Sequence, residues 1–428
     1  MASEPISAMA AARMAAFKLL RPALMSAVLA LAACAAPPVP NSTALPPSPP
    51  KQALAFGDAV DQLTFALFAR AKLDRTDGAN RVLVIDPLID RASGSQAVAT
   101  QSMEQRVTEV VRTRFSAITP QPFNAESLSS QPLILVGSIT PVAAPGSIPP
   151  TTSASQTYRI WAVLADLRTN RIVSHETAWV RADEVDMTPA PFFRDSPSWL
   201  ADRIQAAYIK TCAGNPGDPI DPIYLSSLQT AATVADGIRA YEGGRYQEAL
   251  ALYTKARAEP AGDQLRVYNG IYLAEAALGR KADAARAFGT LVDYGLQNGK
   301  LAVKFVFRPN STQFWPDRAV SGPYPMWLQE IADHTATQAA CLRLVGHTSP
   351  TGPAEANQTL SLARATLVRT QLVHLKPPLA AQMDALGRGS ADPIVGSGRD
   401  DGSDVLDRRV EFETRPCLQA NGGGPRQG

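Results

Sequence analysis

The chain is poor in the residues that most often mark chemistry. It has 4 histidines and 4 cysteines in 428 residues. His175, His334, His347 and His374 are scattered. None sits in an H-E-x-x-H pattern or at metal-ligand spacing from a cysteine, which argues against the common zinc arrangements. There is no G-x-x-x-x-G-K-[ST] phosphate loop. The one glycine-flanked serine, Gly396-Ser397-Gly398, lies in a polar stretch near aspartates rather than between a strand and a helix, so a serine hydrolase is not expected. Glu176 beside His175 on a predicted strand would point to the opposite face. Lys+Arg 41 and Asp+Glu 39 nearly cancel, leaving no basic footprint for nucleic acid. No apolar run reaches the roughly 20 residues of a membrane-spanning helix. These absences point to a non-catalytic protein with no cofactor, no metal and no nucleic-acid partner.

What is present begins at the N-terminus. Lys18 and Arg21 precede a mostly apolar run, Pro22 to Ala33, and small residues lead into Cys34. That is the build of a signal peptide. Residues 1–12 carry Glu4 and no base, so Met9 and Met14 are alternative starts. Leu31-Ala32-Ala33-Cys34 resembles a bacterial lipobox. The resemblance implies cleavage before Cys34, acylation of that residue, and, with Ala35 following rather than aspartate, residence in the outer membrane facing the periplasm. Each buried methylene contributes about 0.8 kcal/mol, so several acyl chains hold firmly where one would not. The alternative is an ordinary secretory peptide with a chance cysteine. Residues 35–53 form a proline-rich spacer, extended at about 3.1 Å per residue and therefore roughly 50 Å long.

Residues 54–212 read as an α/β domain. Val60, Leu63, Leu67 and Ala71 recur at helical spacing, as do Met103, Val107, Val110, Val111 and Phe115. Arg81 to Asp86 and Leu133 to Gly137 are short buried-strand runs. Tyr158 to Leu164 and Arg171 to Val180 form two β runs about the polar turn Arg168-Thr169-Asn170. This order is similar to the globular domain of outer-membrane lipoprotein activators of penicillin-binding proteins, and to curli-secretion and translocation-protein N-terminal domains; an unrelated α/β sandwich is the alternative. A Gly/Pro/Asp linker, 213–224, follows. In 225–298, Ala240-Tyr241, Gly244, Tyr246, Ala249-Leu250, Tyr253 and Ala256 resemble a tetratricopeptide unit. A second copy carries Tyr272, Ala276, Gly279, Ala282, Ala285 and Phe288. Such a pair is either a peptide groove or a helical buttress.

The last domain, 299–417, precedes a tail, 418–428. Leu301 to Phe307 reads as a first strand, Trp327-Leu328 with Ile331 and Ala332 as a helix, and Cys341 to Val345 as a second strand. Gly346-His347-Thr348, Asn357, Leu360-Ser361, Arg364-Ala365 and Asp407-Arg408-Arg409-Val410 then fall in order. This set resembles the C-terminal peptidoglycan-binding domain of the outer-membrane protein A family. The resemblance implies a βαβαβ fold and a ligand in peptidoglycan, the zwitterionic end of a diaminopimelate stem peptide. Arg364 matches the arginine that grips a ligand carboxylate through a planar fork. Asn357, Ser361 and Arg364 share one helix face. Thr348 and Ser349 end the second strand, Asn310, Ser311 and Thr312 form another wall, and Arg409 supports from the closing motif. The family's usual aspartate is Ser349 here, which removes the charge that would meet the ligand's ammonium, a loss on the order of 1.5–3 kcal/mol. Asp400, Asp401 and Asp404 are candidate substitutes; otherwise the fold is kept with weakened or lost binding. In the family sheet the strand opened by Cys341 meets the last strand, which Cys417 follows. An oxidising compartment would then join Cys341 to Cys417 and leave Cys212 free, constraining the unfolded chain by roughly 4 kcal/mol. Three free thiols are the alternative.

The expected whole is an outer-membrane lipoprotein of mixed α/β and α+β build. It tethers non-covalently to peptidoglycan and serves as an interaction or regulatory module for an envelope protein partner, such as a wall synthase. The competing readings are a peptidoglycan-remodelling enzyme with its site in 54–212 and a subunit of a secretion or surface-fibre assembly.

Overall fold

Uninterrupted apolar runs such as Arg81–Ile85 and the first half of Leu133–Val142 make strands only where both faces are covered. In the computed structural model they are central strands of a layered domain. The structure describes residues 53–71, 80–142, 157–199, 202–308, 310–338, 340–394, 398, 404 and 406–417. The lipobox with Cys34, nearly all of the proline-rich spacer, and the tail lie outside the described residues.

The N-terminal half runs α1 (Phe56–Arg70), β1 (Arg81–Ile85), β2 (Ile89–Asp90), α2 (Val98–Arg114), β3 (Ile118–Gln121), α3 (Ala125–Ser129), β4 (Leu133–Val142), β5 (Thr157–Asp166), β6 (Arg171–Arg181), α4 (Pro191–Asp195), β7 (Ser198–Trp199) and α5 (Arg203–Cys212). Its sheet has the order β3-β1-β4-β5-β6, with β2 on β4. β1 is parallel to β3 and β4, whereas β4, β5 and β6 form an antiparallel meander. Val60, Leu63 and Leu67 of α1 and Met103, Val107 and Val111 of α2 pack on one face with Leu83, Leu135, Ile160 and Leu164. Tyr208 and Cys212 of α5 pack on the other with Ile134, Val136 and Val163. Cys212 is buried, and burial pushes its thiol up, so it is unreactive.

The expected linker 213–224 is shorter and better held than its composition suggested. Asp221 caps the next helix by accepting from Ile223 N at 2.9 Å, and Pro222 opens it. Upstream, Ile172 N donates to Asp218 O and Ile220 N to Asn170 O, so the segment is stitched to β6. Four helices follow, α6 (Pro222–Glu242), α7 (Tyr246–Ala258), α8 (Leu265–Ala277) and α9 (Lys281–Gln297). Small residues let them close on the Tyr253 ring: a Cβ on Gly237 would lie 2.8 Å from it, and one on Gly270 2.5 Å.

The C-terminal part comprises β8 (Lys300–Val303), α10 (Arg318–Ser321), α11 (Tyr324–Thr337), β9 (Cys341–Gly346), α12 (Ala354–Leu375), β10 (Met383–Gly387) and β11 (Val410–Arg415). Its sheet has the order β10-β9-β11-β8-β7. The edge strand β7 therefore comes from before α5, and the sheet draws on chain that composition placed in the N-terminal domain. The first strand is shorter than the expected Leu301–Phe307. At Lys304 the chain turns, because the buried ammonium donates to Phe193 O at 2.8 Å and Arg194 O at 3.1 Å. Burial pushes that ammonium down to about 7. One apolar core runs from the helices into this sheet, with Phe288 stacked on Trp327 at 5.4 Å and Trp327 Nε1 donating to Tyr272 Oη at 2.8 Å.

Candidate functional site

The motif residues gather where α12 lies on β9 and β10. Glycine permits this approach. A Cβ on Gly346 would sit 2.0 Å from Ser361 O, and one on Gly387 would sit 2.6 Å from Leu362 N. Ser361 is fully buried, and its Oγ accepts from Gly389 N at 2.9 Å and donates to Gln358 O at 2.9 Å. Thr348 N donates to Gly389 O at 2.9 Å, tying the loop after β9 to the loop after β10.

Arg364 sits one turn further along the same helix face and is 3% exposed. Its Nε donates to Ser311 O at 3.2 Å, its Nη2 donates to Arg308 O at 3.3 Å, and its guanidinium lies 4.8 Å from the centre of the Phe307 ring. It thus holds the loop after β8 against α12. In front lies a cleft of about 680 Å³, lined by Asn310, Thr351, Gly352, Glu355, Asn357 and Leu360 among others. Of the residues named from the sequence, Asn310 and Asn357 line the cleft. Thr348, Ser349, Ser361 and Arg364 are buried behind it, and Ser311 joins through its carbonyl. The structure shows no contact of Thr312 with the cleft. Asn357 Nδ2 donates to Thr351 O at 2.9 Å and braces the cleft wall.

Ser349 is 4% exposed, with its Oγ 3.3 Å from Thr351 Oγ1. The charged side chain among the cleft lining is Glu355 on the first turn of α12. Sequence reasoning passed over it; its place three residues after Gly352 at a helix start was the available signal. Of the candidate substitutes for the missing aspartate, Asp404 is fully buried, while Asp400 and Asp401 lie outside the described residues.

Arg409 faces inward rather than toward the cleft. Its Nη2 lies 2.7 Å from Glu411 Oε1, with Lys300 Nζ 2.6 Å from Glu411 Oε2 and His347 Nε2 at 3.6 Å. Burial alone would raise the Glu411 carboxyl; His347, Arg409 and Lys300 together overcome it and hold the carboxyl far below its ordinary value. His347 therefore belongs to a buried ionic cluster that fixes the sheet beneath the site. Cys341 and Cys417 are joined by a disulfide with Cα atoms 5.1 Å apart. Arg415 pairs with Cys341 in register, which brings Cys417 alongside.

Residues 306–404 match the model of the OmpA family. That segment is an OmpA family domain. The match takes in the loop after β8, the Gly346–Ser349 turn, all of α12 and β10, while Arg409 and the disulfide's Cys417 fall beyond it. Among solved structures the chain is similar to the peptidoglycan-associated lipoprotein from Burkholderia pseudomallei, at 28% identity over 27% of this chain and 89% of that one, with a TM-score of 0.22. It is similar to the cell wall anchor of the T6SS from Pseudomonas aeruginosa, at 23% identity over 27% and 79%, with a TM-score of 0.23. An outer membrane protein from Borrelia burgdorferi matches at 24% identity over 27% and 86%, with a TM-score of 0.21. No curated protein matches this chain. Among the described residues, no helix is long and apolar enough to cross a membrane.

Proposed function

We propose that this protein is an outer-membrane lipoprotein, anchored through Cys34, whose OmpA domain holds peptidoglycan non-covalently and whose 54–212 domain engages an envelope protein partner such as a wall synthase. The observation that carries the reading is the coincidence of the OmpA match with an open cleft between Asn310 and Asn357. The ligand is the zwitterionic end of a diaminopimelate stem peptide. Its carboxylate competes with the neutral carbonyls of Arg308 and Ser311 for the Arg364 fork, because a charged acceptor makes the stronger bond. Its ammonium meets Glu355 at the cleft in place of the absent aspartate. Sedimentation of the purified protein with sacculi tests the tether: no cosedimentation refutes it. Fractionation tests the anchor, since Cys34→Ser should leave the precursor uncleaved or release it from the membrane.

The enzyme reading has one observation in its favour. A second cleft of about 610 Å³ opens beyond the carboxyl ends of β1 and β3, the usual place for a ligand on parallel strands. Glu104 lies in it, and burial raises its carboxyl to about 8, suited to an acid–base group. Release of soluble muropeptides by the wild type, abolished in Glu104→Gln, would establish that reading in place of a purely binding role.

A further inference from the structure

On the side of the first sheet that faces α5, the strands align two polar rows. Ser138, Trp161 and Thr177 stand side by side on β4, β5 and β6, and Thr140, Arg159 and Trp179 form the next row. The Arg159 guanidinium lies 4.0 Å from the centre of the Trp161 indole. Arg91, from the turn after β2, places a second guanidinium 5.1 Å from the same ring. Neither arginine has a carboxylate partner among the described residues, in contrast to Arg81 with Asp166 or Arg106 with Asp61. The acids nearby are engaged elsewhere: Asp90 accepts from Ser93 Oγ at 2.6 Å, Asp166 pairs with Arg81 at 2.9 Å, and Glu176, on the opposite face, is 2.5 Å from Arg70.

The surroundings add unanswered polar groups. Arg159 Nε, Trp161 Nε1, His175 Nε2 and Ser138 Oγ are all buried without a hydrogen-bond partner. Trp161 is 7% exposed and Ser138 fully buried. Buried polar atoms are ordinarily paired, and a cluster of them is an exception that calls for a cause. Two like charges on one ring repel each other, and the half-buried Arg159 holds its charge with no counter-charge beside it among the described residues, which is unfavourable unless an anion arrives. Burial, and then the charge of Arg91, hold the Arg159 guanidinium below its ordinary value. An anion would relieve both the repulsion and the missing acceptors.

We propose that Arg91, Trp161 and Arg159 form a binding site for a phosphate or phosphoester group. The indole holds both guanidiniums over one ring, so a single anion can take N–H donors from both. Two forks ask for more acceptor oxygens than the two of a carboxylate, and a phosphate presents three or four. The group is either the headgroup of an anionic lipid or a soluble phosphate compound. The site lies outside residues 306–404, so it stands or falls apart from cell-wall binding.

The test uses the full chain carrying Cys34→Ser, so that no lipid anchor inserts. Inorganic phosphate is titrated calorimetrically at constant ionic strength against a chloride control, and phosphatidylglycerol vesicles are sedimented against phosphatidylcholine vesicles. Saturable binding to either probe is expected, weakened at least tenfold in Arg91→Gln and in Arg159→Gln. Phosphate alone binding assigns a soluble ligand, and vesicles alone binding assigns a lipid headgroup; both support the site. Arg91 is exposed, so if Arg159→Gln does not fold, Arg91→Gln decides by itself. No saturable binding to either probe, or binding unchanged in Arg91→Gln, overturns the proposal.

Discussion

Replacing Arg364 by alanine tests the tether and its architecture together. The side chain is 3% exposed and bridges α12 to the carbonyls of Arg308 and Ser311. Bonds from a charged donor contribute roughly 1.5–3 kcal/mol each, and at 3.2–3.3 Å these two belong at the weak end. The guanidinium over Phe307 adds about 0.5–1 kcal/mol. Arg308 O keeps the Ser311 N–H as a partner at 3.2 Å, so only Ser311 O is left exposed to loss. Arg364→Ala should therefore lower stability by roughly 2–3 kcal/mol. Sacculus affinity should fall by about 2 kcal/mol or more, some thirtyfold, because the ligand carboxylate loses its fork. Urea unfolding reads the first number and sacculus sedimentation under native conditions the second. Arg364→Lys separates them: the charge stays but the planar fork goes, so affinity should remain well below wild type. If Arg364→Ala is as stable as wild type and sediments equally with sacculi, both the packing argument and the proposed ligand grip are refuted.

The other expectations are simpler. Ser349→Asp should tighten sacculus binding roughly tenfold to a hundredfold by giving the ammonium a second acid besides Glu355; unchanged cosedimentation would mean that the ammonium does not reach this loop. Cys417→Ser should cost about 4 kcal/mol of stability through loss of the Cys341 link, read as the difference in urea midpoint under non-reducing conditions. Glu411 has its folded pKa depressed, so its contribution to stability is present above the unfolded carboxyl value of about 4.3 and is lost as pH falls below it. Glu411→Gln should thus destabilise by roughly 3–5 kcal/mol at pH 7, since Arg409 and Lys300 are left without their partner, with the gap to wild type closing toward pH 3 in acid-unfolding curves.

Periodicity alone located α1, α2, β1, β4, β5 and β6, because each buries a stripe or an alternating face whose spacing is written in single residues. The ordered glycines, Ser361 and Arg364 marked the α12 contact for a similar reason. A helix packed on backbone needs glycine at Gly346 and Gly387, and nothing larger fits. The link between Cys341 and Cys417 followed from the order of strands in the resembled sheet. Other features depend on pairings between distant segments, which leave no local trace. The edge strand β7 is two residues long and takes its place only because β8 offers an open side. Lys304 ends β8 early because two carbonyls some 110 residues away are there to receive it. Arg409 had the sequence of a site support, yet the register of β11 turned it onto Glu411. Arg364 is the instructive case: its position was fixed by the sequence, but that it holds two main-chain carbonyls was decided by how the loop after β8 folds back over α12.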